Sequence, residues 1–184
     1  MLTRALLAVG ARVVAVEPDR RLGSRLRGLG ATVVVADARA FAWPDEPFKV
    51  VANLPFAHAA EICRCLFDPV VPLVSADLIV EWDFAAKRAR LWPSTAQTVV
   101  WSAWFELSVA RRIDAREFVP VPSVSGAVLR ARRRERPLVR PGDGARYEQF
   151  VRHGFNRSRM ARDRDPHAWA RAFATSGRVR TLRP

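Results

Sequence analysis

The 184-residue sequence has few of the residues that mark disulfide-bonded or metal-binding proteins. Its only cysteines, Cys63 and Cys65, lie two positions apart in a predicted helix and point to different faces, so they are poorly placed for a disulfide. Three histidines are scattered at His58, His153 and His167. These residues do not make a zinc ligand set, and we expect reduced thiols and no metal ion.

Long apolar runs are also missing. No stretch is long enough to cross a bilayer, and the sequence shows no signal peptide. The hydrophobic content of 49% is nevertheless ample for a core, and the length suits about one domain. We therefore expect a globular, cytoplasmic monomer that does not associate with membranes.

Lysine is almost absent, whereas arginine is abundant. Lys49 and Lys87 are the only lysines, which leaves 29 of the 31 basic residues as arginine, and the net charge is +13. GC-rich coding explains the choice of arginine over lysine, but it does not explain the excess over acidic residues. The charge favours a polyanionic partner such as RNA or DNA, and the alternative is a solvated, charge-rich surface.

Apolar runs and helical patterns alternate along the chain. This alternation predicts a doubly wound α/β sheet, in which ligands bind at the carboxyl ends of the strands. The predicted helices cover 2–10, 19–30, 58–67 and 83–90, and the predicted strands cover 12–17, 32–37, 48–53, 76–82 and 125–134. The segment 98–113 is long and apolar, and its pattern does not decide between helix and strand.

Three polar residues end consecutive predicted strands. Glu17 ends the first, Asp37 the second and Asn53 the third, so their side chains are expected to converge along one edge of the sheet. Glu17 either binds a ligand, as the acid of a ribose site does, or is a solvated acid. Asp37 either accepts a hydrogen bond from an adenine amino group or caps the following turn.

The residues "NLPF", Asn53 to Phe56, form a pattern that suits chemistry on an adenine amine. The amide oxygen of Asn53 and the carbonyl of Leu54 can each accept one N–H, which directs the nitrogen lone pair outward. Pro55 stiffens the turn and removes a backbone donor. Phe56 offers a ring on which an unstacked base can lie. The alternative is that Asn53 is a turn residue and Phe56 belongs to the core.

These motifs resemble the ribosomal RNA adenine N6-methyltransferase family, whose members use S-adenosylmethionine and have a Rossmann-like fold. The matching runs are "VVAVEPD", "VVVADA", "NLPF" and "FVPVPSV". By this resemblance Glu17 binds the ribose of the cofactor, and Asp37 and the Ala38 backbone hold its adenine. Asn53 is expected to border the cofactor as well as the target amine, and the "NLPF" run carries out methyl transfer.

The resemblance also assigns the region that follows. Phe118, Pro120 and Pro122 belong to the loop that lies beside the target base in the family. The methyltransferase domain is expected to span 1–134, and an Arg-rich helical RNA-binding segment to span 135–184. The arginines expected to bind RNA are Arg130, Arg132, Arg133, Arg134, Arg157 and Arg159.

Two branches of this family differ in substrate. The Erm branch methylates an adenine of 23S ribosomal RNA and confers macrolide, lincosamide and streptogramin B resistance, and "NLPF" together with "DLIVEWDFAAKRA" resembles that branch. The alternative branch modifies small-subunit ribosomal RNA. A truncated relative that only binds RNA remains a third interpretation, and a nicotinamide-dependent oxidoreductase explains neither "NLPF" nor "FVPVPSV".

One family feature is missing from the sequence. No first strand and no glycine-rich loop precede the run that ends at Glu17. In the family that strand lies between the strands ending at Glu17 and Asn53, so we expect two unpaired edges there. We expect the sequence to start late within its gene, to be a fragment, or to come from a decayed gene. As given, it is expected to bind S-adenosylmethionine weakly or not at all.

Overall fold

The computed structural model describes residues 2–90, 92–157 and 164–180, with side chains described as far as 176. The chain alternates between helices and strands through most of its length, which confirms the predicted α/β class. The elements are α1 (Leu2–Ala8), β1 (Val14–Val16), α2 (Arg20–Arg27), β2 (Thr32–Val34), β3 (Phe48–Asn53), α3 (Ala59–Leu66), β4 (Leu73–Glu81), α4 (Trp82–Arg88), α5 (Ala96–Ser102), β5 (Phe105–Ile113), β6 (Gly126–Arg133), α6 (Gly144–Arg157) and α7 (Pro166–Arg180).

The strands form two separate sheets. β1 and β2 pair in parallel, and the larger sheet has the order β3-β4-β6-β5. β3 and β4 are parallel, whereas β6 runs antiparallel to both β4 and β5. The antiparallel pair arises because β5 and β6 are joined without a crossover helix, which only antiparallel neighbours allow.

The undecided segment 98–113 divides into a helix and a strand. Thr95 starts α5, because its hydroxyl accepts a hydrogen bond from the Thr98 N–H at 3.2 Å. The helix ends at Ser102, and only Ala103 and Trp104 separate it from β5. Both residues are fully buried, so this sharp connection lies inside the core. Residues 98–102 of the helix are all buried, so this half shows no amphipathic helical period, whereas β5 is buried only at Phe105 and Ile113.

Two glycines help to end the first helices. Gly10 follows α1 with a φ of 78°, and Gly30 has a φ of 95°, in the left-handed region that glycine adopts without strain. The second helix is shorter than predicted. It ends at Arg27 and is capped by Gly28, so Leu29 belongs to the turn that leads into β2.

β1 and β3 each have one edge without a hydrogen-bonded neighbour within the described residues. β1 pairs only with β2, and β3 pairs only with β4. These are the two edges that the sequence analysis expects to be unpaired. The small and large sheets are therefore not joined by a backbone ladder in this part of the chain, and side-chain contacts at their carboxyl ends connect them.

A single hydrophobic core surrounds β4, the inner strand next to β3. Leu73, Leu78 and Val80 on this strand are fully buried. The C-terminal helices contribute to the same core through Tyr147 on α6 and Trp169 on α7. The described part of the predicted 135–184 segment is thus helical, and its aromatic side chains pack on the α/β layer.

Shortening a β4 core side chain is expected to destabilise the fold strongly. Leu78→Ala leaves a cavity beside fully buried neighbours, and we expect the free energy of unfolding to fall by about 2–5 kcal/mol. Val74→Ala on the same strand is the matched control, because Val74 is 41% exposed; its loss should stay below about 1 kcal/mol. Urea unfolding followed by circular dichroism measures both, and equal losses would contradict the assignment of the core.

Candidate functional site

The ends of β1 and β2 place two carboxylates at one edge of the small sheet. Glu17 follows β1 directly, and its N–H donates to the Val34 carbonyl at 3.1 Å. Its Oε1 accepts a hydrogen bond from the Asp19 N–H at 3.0 Å. Asp37 lies three residues after β2. Because the two strands are parallel and paired, both acids occupy the carboxyl edge, as the sequence predicts.

The Asp37 carboxylate is held by a neighbouring arginine. Oδ1 accepts a hydrogen bond from the Arg39 backbone N–H at 2.8 Å, and Oδ2 accepts one from Arg39 Nη2 at 2.6 Å. Arg39 Nε lies 3.0 Å from both oxygens. The hydrogen bonds from the Arg39 side chain are the main cause that lowers the pKa of Asp37 to about 2. An adenine amine would therefore have to share this carboxylate with Arg39, or displace it.

Arg39 also connects the small sheet to the end of β3. Its Nη1 lies 3.2 Å from Glu61 Oε2 and 3.4 Å from His58 Nδ1. The Arg39 carbonyl accepts a hydrogen bond from Cys65 Sγ at 3.4 Å. His58 lies two residues after the "NLPF" run, so Arg39 spans from the predicted adenine acceptor to the segment that follows the predicted catalytic motif. Arg39 was not predicted from the sequence, although an arginine two residues after an acid that follows a strand can indicate an ion pair with that acid.

The "NLPF" run presents two hydrogen-bond acceptors next to each other. Asn53 is exposed at the last position of β3, opposite Ile79 of β4. The Leu54 N–H donates to the Ile79 carbonyl at 3.0 Å, which fixes the backbone. Within the described residues, no hydrogen bond engages the Asn53 side chain or the Leu54 carbonyl. Pro55, with a φ of −58°, adds no backbone N–H nearby.

An aromatic pair lies beside these acceptors. The half-buried rings of Phe56 and Phe118 meet edge to face, with centroids 6.1 Å apart and an interplanar angle of 79°. Pro120 and Pro122 continue the loop that begins at Phe118, and the Val119–Pro120 bond is cis. The structure thus places Phe118, at the start of the "FVPVPSV" loop, in contact with Phe56 of the "NLPF" run.

Gly126 makes room for the Phe118 ring. A Cβ at this position would lie 2.7 Å from Phe118 Cζ, which is closer than real Cβ contacts. Gly126 is buried and pairs with Glu81 at the end of β4. The sequence analysis did not identify this glycine, because its role depends on a contact between residues eight positions apart.

A small cavity opens where β4 ends. Its volume is about 180 Å³, and it is lined by Glu81, Trp82, Asp83, Arg112, Val124 and Ser125. The Arg112 guanidinium lies over the Trp82 ring, 4.7 Å from its centroid. The Trp82 N–H donates to the Ser125 carbonyl at 2.9 Å, which ties α4 to the loop before β6. This cavity lies at the carboxyl end of β4, the strand that pairs with β3 and its terminal Asn53.

Several predicted RNA-binding arginines already have partners within the protein. Arg130 pairs with Asp77 on the neighbouring strand, with Nε 2.7 Å from Oδ1. Arg134 is 16% exposed and binds the Ser102 carbonyl and Glu106. Because these guanidinium groups already bind groups of the protein, we no longer propose Arg130 and Arg134 as RNA contacts.

Arg133 is similarly internal. Its guanidinium donates to the carbonyls of Pro69, Val71 and Leu73 and stacks over Phe105 at 4.7 Å, and burial lowers its pKa. This arginine holds the β3–β4 connection against β6. We therefore no longer propose it as an RNA contact.

Two of the six predicted arginines stay exposed. Arg132 lies on β6, and Arg157 at the end of α6 forms a hydrogen bond with His153 at 3.1 Å. Arg159 lies outside the described residues. We retain Arg132 and Arg157 as proposed RNA contacts.

Neither a metal site nor a membrane helix is found in the described ranges. No group of three or more His, Cys, Asp or Glu side chains there could hold a metal ion. None of the helices described is both long and apolar enough to span a bilayer.

The contact with Arg39 predicts an unusual acidity for Asp37. We expect the Asp37 carboxyl to titrate near pH 2 in the folded protein, well below its ordinary value of 3.8. Since the pKa is lower in the folded state, this contact stabilises the fold above about pH 4 and is lost as the pH falls toward 2. Carbon-detected NMR of the carboxyl group measures the midpoint. Arg39→Ala should return it toward 3.8, and an unchanged midpoint would contradict the assignment.

Neighbouring arginines on β6 are expected to behave in opposite ways. Arg133→Ala leaves backbone carbonyls without a donor, so the free energy of unfolding should fall by about 1–3 kcal/mol. Arg132→Ala, at an exposed site, should leave stability nearly unchanged and reduce the salt dependence of RNA binding. Urea unfolding and RNA titration on both variants test this. Equal destabilisation by the two changes would show that Arg133 is not a structural residue.

Known proteins resemble this chain in sequence and in fold. The family model described as ribosomal RNA adenine dimethylase matches residues 1–161. The mycinamicin-resistance protein MyrB of Micromonospora griseorubida is 34% identical over 154 residues, which cover 82% of this chain and 49% of MyrB. An rRNA methyltransferase of Streptomyces thermotolerans is 36% identical over 162 residues, which cover 84% of this chain and 53% of that protein.

Solved structures show the same architecture. The 23S rRNA methyltransferase ErmE superposes with a TM-score of 0.70 at 31% identity, over 79% of this chain and 62% of ErmE. A dimethyladenosine transferase from Plasmodium falciparum gives 0.69 at 19% identity, over 80% of this chain and 56% of that chain, and this likeness shows the fold alone. The chain spans about half the length of the curated relatives it matches. Because the family match extends over most of its residues, the chain belongs to the ribosomal RNA adenine dimethylase family.

Proposed function

We propose that this protein methylates N6 of an adenine in 23S ribosomal RNA with S-adenosylmethionine, and so confers resistance to macrolide, lincosamide and streptogramin B antibiotics. The observation that carries the proposal is the pair of available acceptors, Asn53 and Leu54, beside the rings of Phe56 and Phe118. MyrB is named a resistance protein and ErmE a 23S rRNA methyltransferase, and both resemble this chain. An rRNA substrate also fits the net charge of +13, and it implies that the protein acts in the cytoplasm.

The residues after β1 and β2 fit the adenosine half of the cofactor. Glu17 has one oxygen that accepts from Asp19 and a second that can accept from a ribose hydroxyl. Asp37 and the Ala38 backbone would hold the adenine, provided that Arg39 shares or yields the Asp37 carboxylate. When bound, S-adenosylmethionine supplies an electrophilic methyl group.

Asn53 and Leu54 hold the amine of the target base. An exocyclic adenine amine is a weak nucleophile because its lone pair is delocalised into the ring. When the Asn53 side-chain oxygen and the Leu54 carbonyl each accept one N–H, the nitrogen is drawn toward tetrahedral geometry and its lone pair points away from the protein acceptors. Pro55 contributes by adding no N–H that would repel the amine hydrogens. The register of β3 on β4 keeps both acceptors in place.

Contact with the aromatic pair offsets part of the stacking energy that the base loses when it leaves its helix. Turning a base out of its helix costs a few kcal/mol, and an aromatic contact returns about 1–3 kcal/mol. Phe56 is the ring for this contact, and Phe118 supports it from the side. Gly126 is required because a side chain there would displace Phe118.

Removal of the Asn53 acceptor is expected to abolish the resistance. The coding region, together with any in-frame codons upstream of it, is expressed in a macrolide-sensitive bacterium, and the inhibitory drug concentration is measured. Asn53→Ala should reduce methyl transfer about 100-fold or more, because the amine loses one of its two acceptors, and growth should again be drug-sensitive.

The matched control is Asn156→Ala, which removes an exposed asparagine from α6 and should keep the resistance. Resistance that survives Asn53→Ala would contradict the catalytic role. Absence of resistance in all strains, with folded protein present, would contradict the proposed function and favour the small-subunit substrate or an RNA-binding protein without activity.

A further inference from the structure

One side of α2 is covered with arginine. Arg20, Arg21, Arg25 and Arg27 are all exposed, and at 100° per residue they fall within an arc of about 160° around the helix axis. We call these four residues the arginine face of α2. Along the axis they span about 11 Å, so four positive charges lie within two turns of helix.

The opposite side of α2 packs on β2. Gly23 is buried there, and a Cβ at this position would lie 3.3 Å from Val33 Cγ1 and 3.6 Å from Val35 Cγ2. Of the two leucines in the helix, Leu26 is half-buried and Leu22 is exposed. The packing of Gly23 on the strand therefore orients the helix, so that the arginine face points to solvent.

No described acid pairs with the arginine face. The two acids nearest in the sequence are bound to backbone donors, because Glu17 accepts from the Asp19 N–H and Asp19 accepts from the Arg21 and Leu22 N–H groups. Elsewhere in the described residues ion pairing is common, and the paired arginines are Arg39, Arg111, Arg116, Arg130, Arg134, Arg146 and Arg152. The arginine face thus combines a dense positive charge with no neutralising partner in this part of the fold.

Two of these arginines also oppose the helix dipole. Arg20 and Arg21 occupy the first turn of α2, where the partial positive charge of the helix N-terminus disfavours cations. The first turn contains no acid within the helix, and the N-cap Asp19 offsets only part of this repulsion. GC-rich coding accounts for arginine over lysine, but it does not account for cations at the end of a helix that favours anions.

We propose that the arginine face of α2 binds the phosphate backbone of the ribosomal RNA substrate, as a contact surface additional to the catalytic cleft and to Arg132 and Arg157. The inference rests on the proposed function for the identity of the RNA. RNA fits better than a membrane, because a membrane-surface helix needs its apolar side free, whereas Gly23 and Leu26 lie against the fold. Guanidinium groups bind phosphate oxygens through paired N–H donors without reading the base sequence.

The test is RNA binding as a function of salt. A transcript of the peptidyl-transferase region of 23S ribosomal RNA is titrated with the full chain at several salt concentrations. Every protein in the series carries Asn53→Ala, so that methylation does not change the RNA. Substitution of all four residues by glutamine (R20Q, R21Q, R25Q and R27Q) should make the slope of log affinity against log salt shallower by about 2 to 4, and lower the affinity in 0.1 M salt at least about tenfold.

Two controls isolate the arginine face. The same four positions changed to lysine keep the charge and should keep most of the slope. A charge-matched variant that removes four ion-paired arginines (R111Q, R116Q, R146Q and R152Q) should change the slope by less than about 1, since those guanidinium groups already have acidic partners. Circular dichroism verifies that each variant is folded.

The outcomes separate this inference from the proposed function. RNA binding with an unchanged slope in the α2 glutamine variant overturns the inference alone. If the α2 variant and the charge-matched variant lose the same RNA affinity and the same salt dependence, the inference is also overturned, because net charge then explains the binding. A parent protein that binds no 23S transcript contradicts the proposed function as well. Binding to vesicles of phosphatidylserine and phosphatidylcholine that depends on the four arginines, without RNA binding, assigns the surface to a membrane and overturns the inference.

Discussion

The register of β4 with its two neighbours is the constraint on which the candidate site depends. β3 pairs in parallel with β4, so that Asn53 lies opposite Ile79. β6 pairs antiparallel with the same strand and places Gly126 opposite Glu81, two residues further along. The Asn53 and Leu54 acceptors and the loop that carries Phe118 therefore lie at the same edge of the sheet. A shift of one residue in either ladder would turn the side chains to the other face of the sheet.

The small sheet is attached to this frame mainly through side chains at its carboxyl edge. Arg39 binds Asp37 on one side and contacts His58 and Glu61 on the other. The same guanidinium therefore supports the fold and occupies the predicted adenine acceptor. A ligand that took Asp37 from Arg39 would change what holds the small sheet, so we expect cofactor binding at Asp37 to be coupled to the attachment of β1 and β2.

Much of the fold could be predicted because strands and helices have different periods. The run 48–53 is a strand with the predicted bounds and ends at Asn53. The first two strands are shorter than predicted, so Glu17 and Asp37 follow them by one and three residues instead of ending them. The segment 98–113 could not be resolved, since its helical part, 98–102, is buried on all sides and lacks the amphipathic period of a surface helix. Arg133 carries the same charge as Arg132 in the sequence, but only the structure shows that its donors reach backbone carbonyls. Gly126 and Arg39 were missed for a related reason, since each acts through contacts that the sequence order does not display.

We propose that Asn53 and Leu54 bind an adenine amine beside Phe56, and a crystal structure of the protein with adenosine monophosphate, which mimics the target nucleotide, tests this most directly. We expect the adenine N6 to lie about 3 Å from both Asn53 Oδ1 and the Leu54 carbonyl oxygen, with the base against the Phe56 ring. An adenine bound elsewhere, or bound here with N6 directed away from both oxygens, would contradict it.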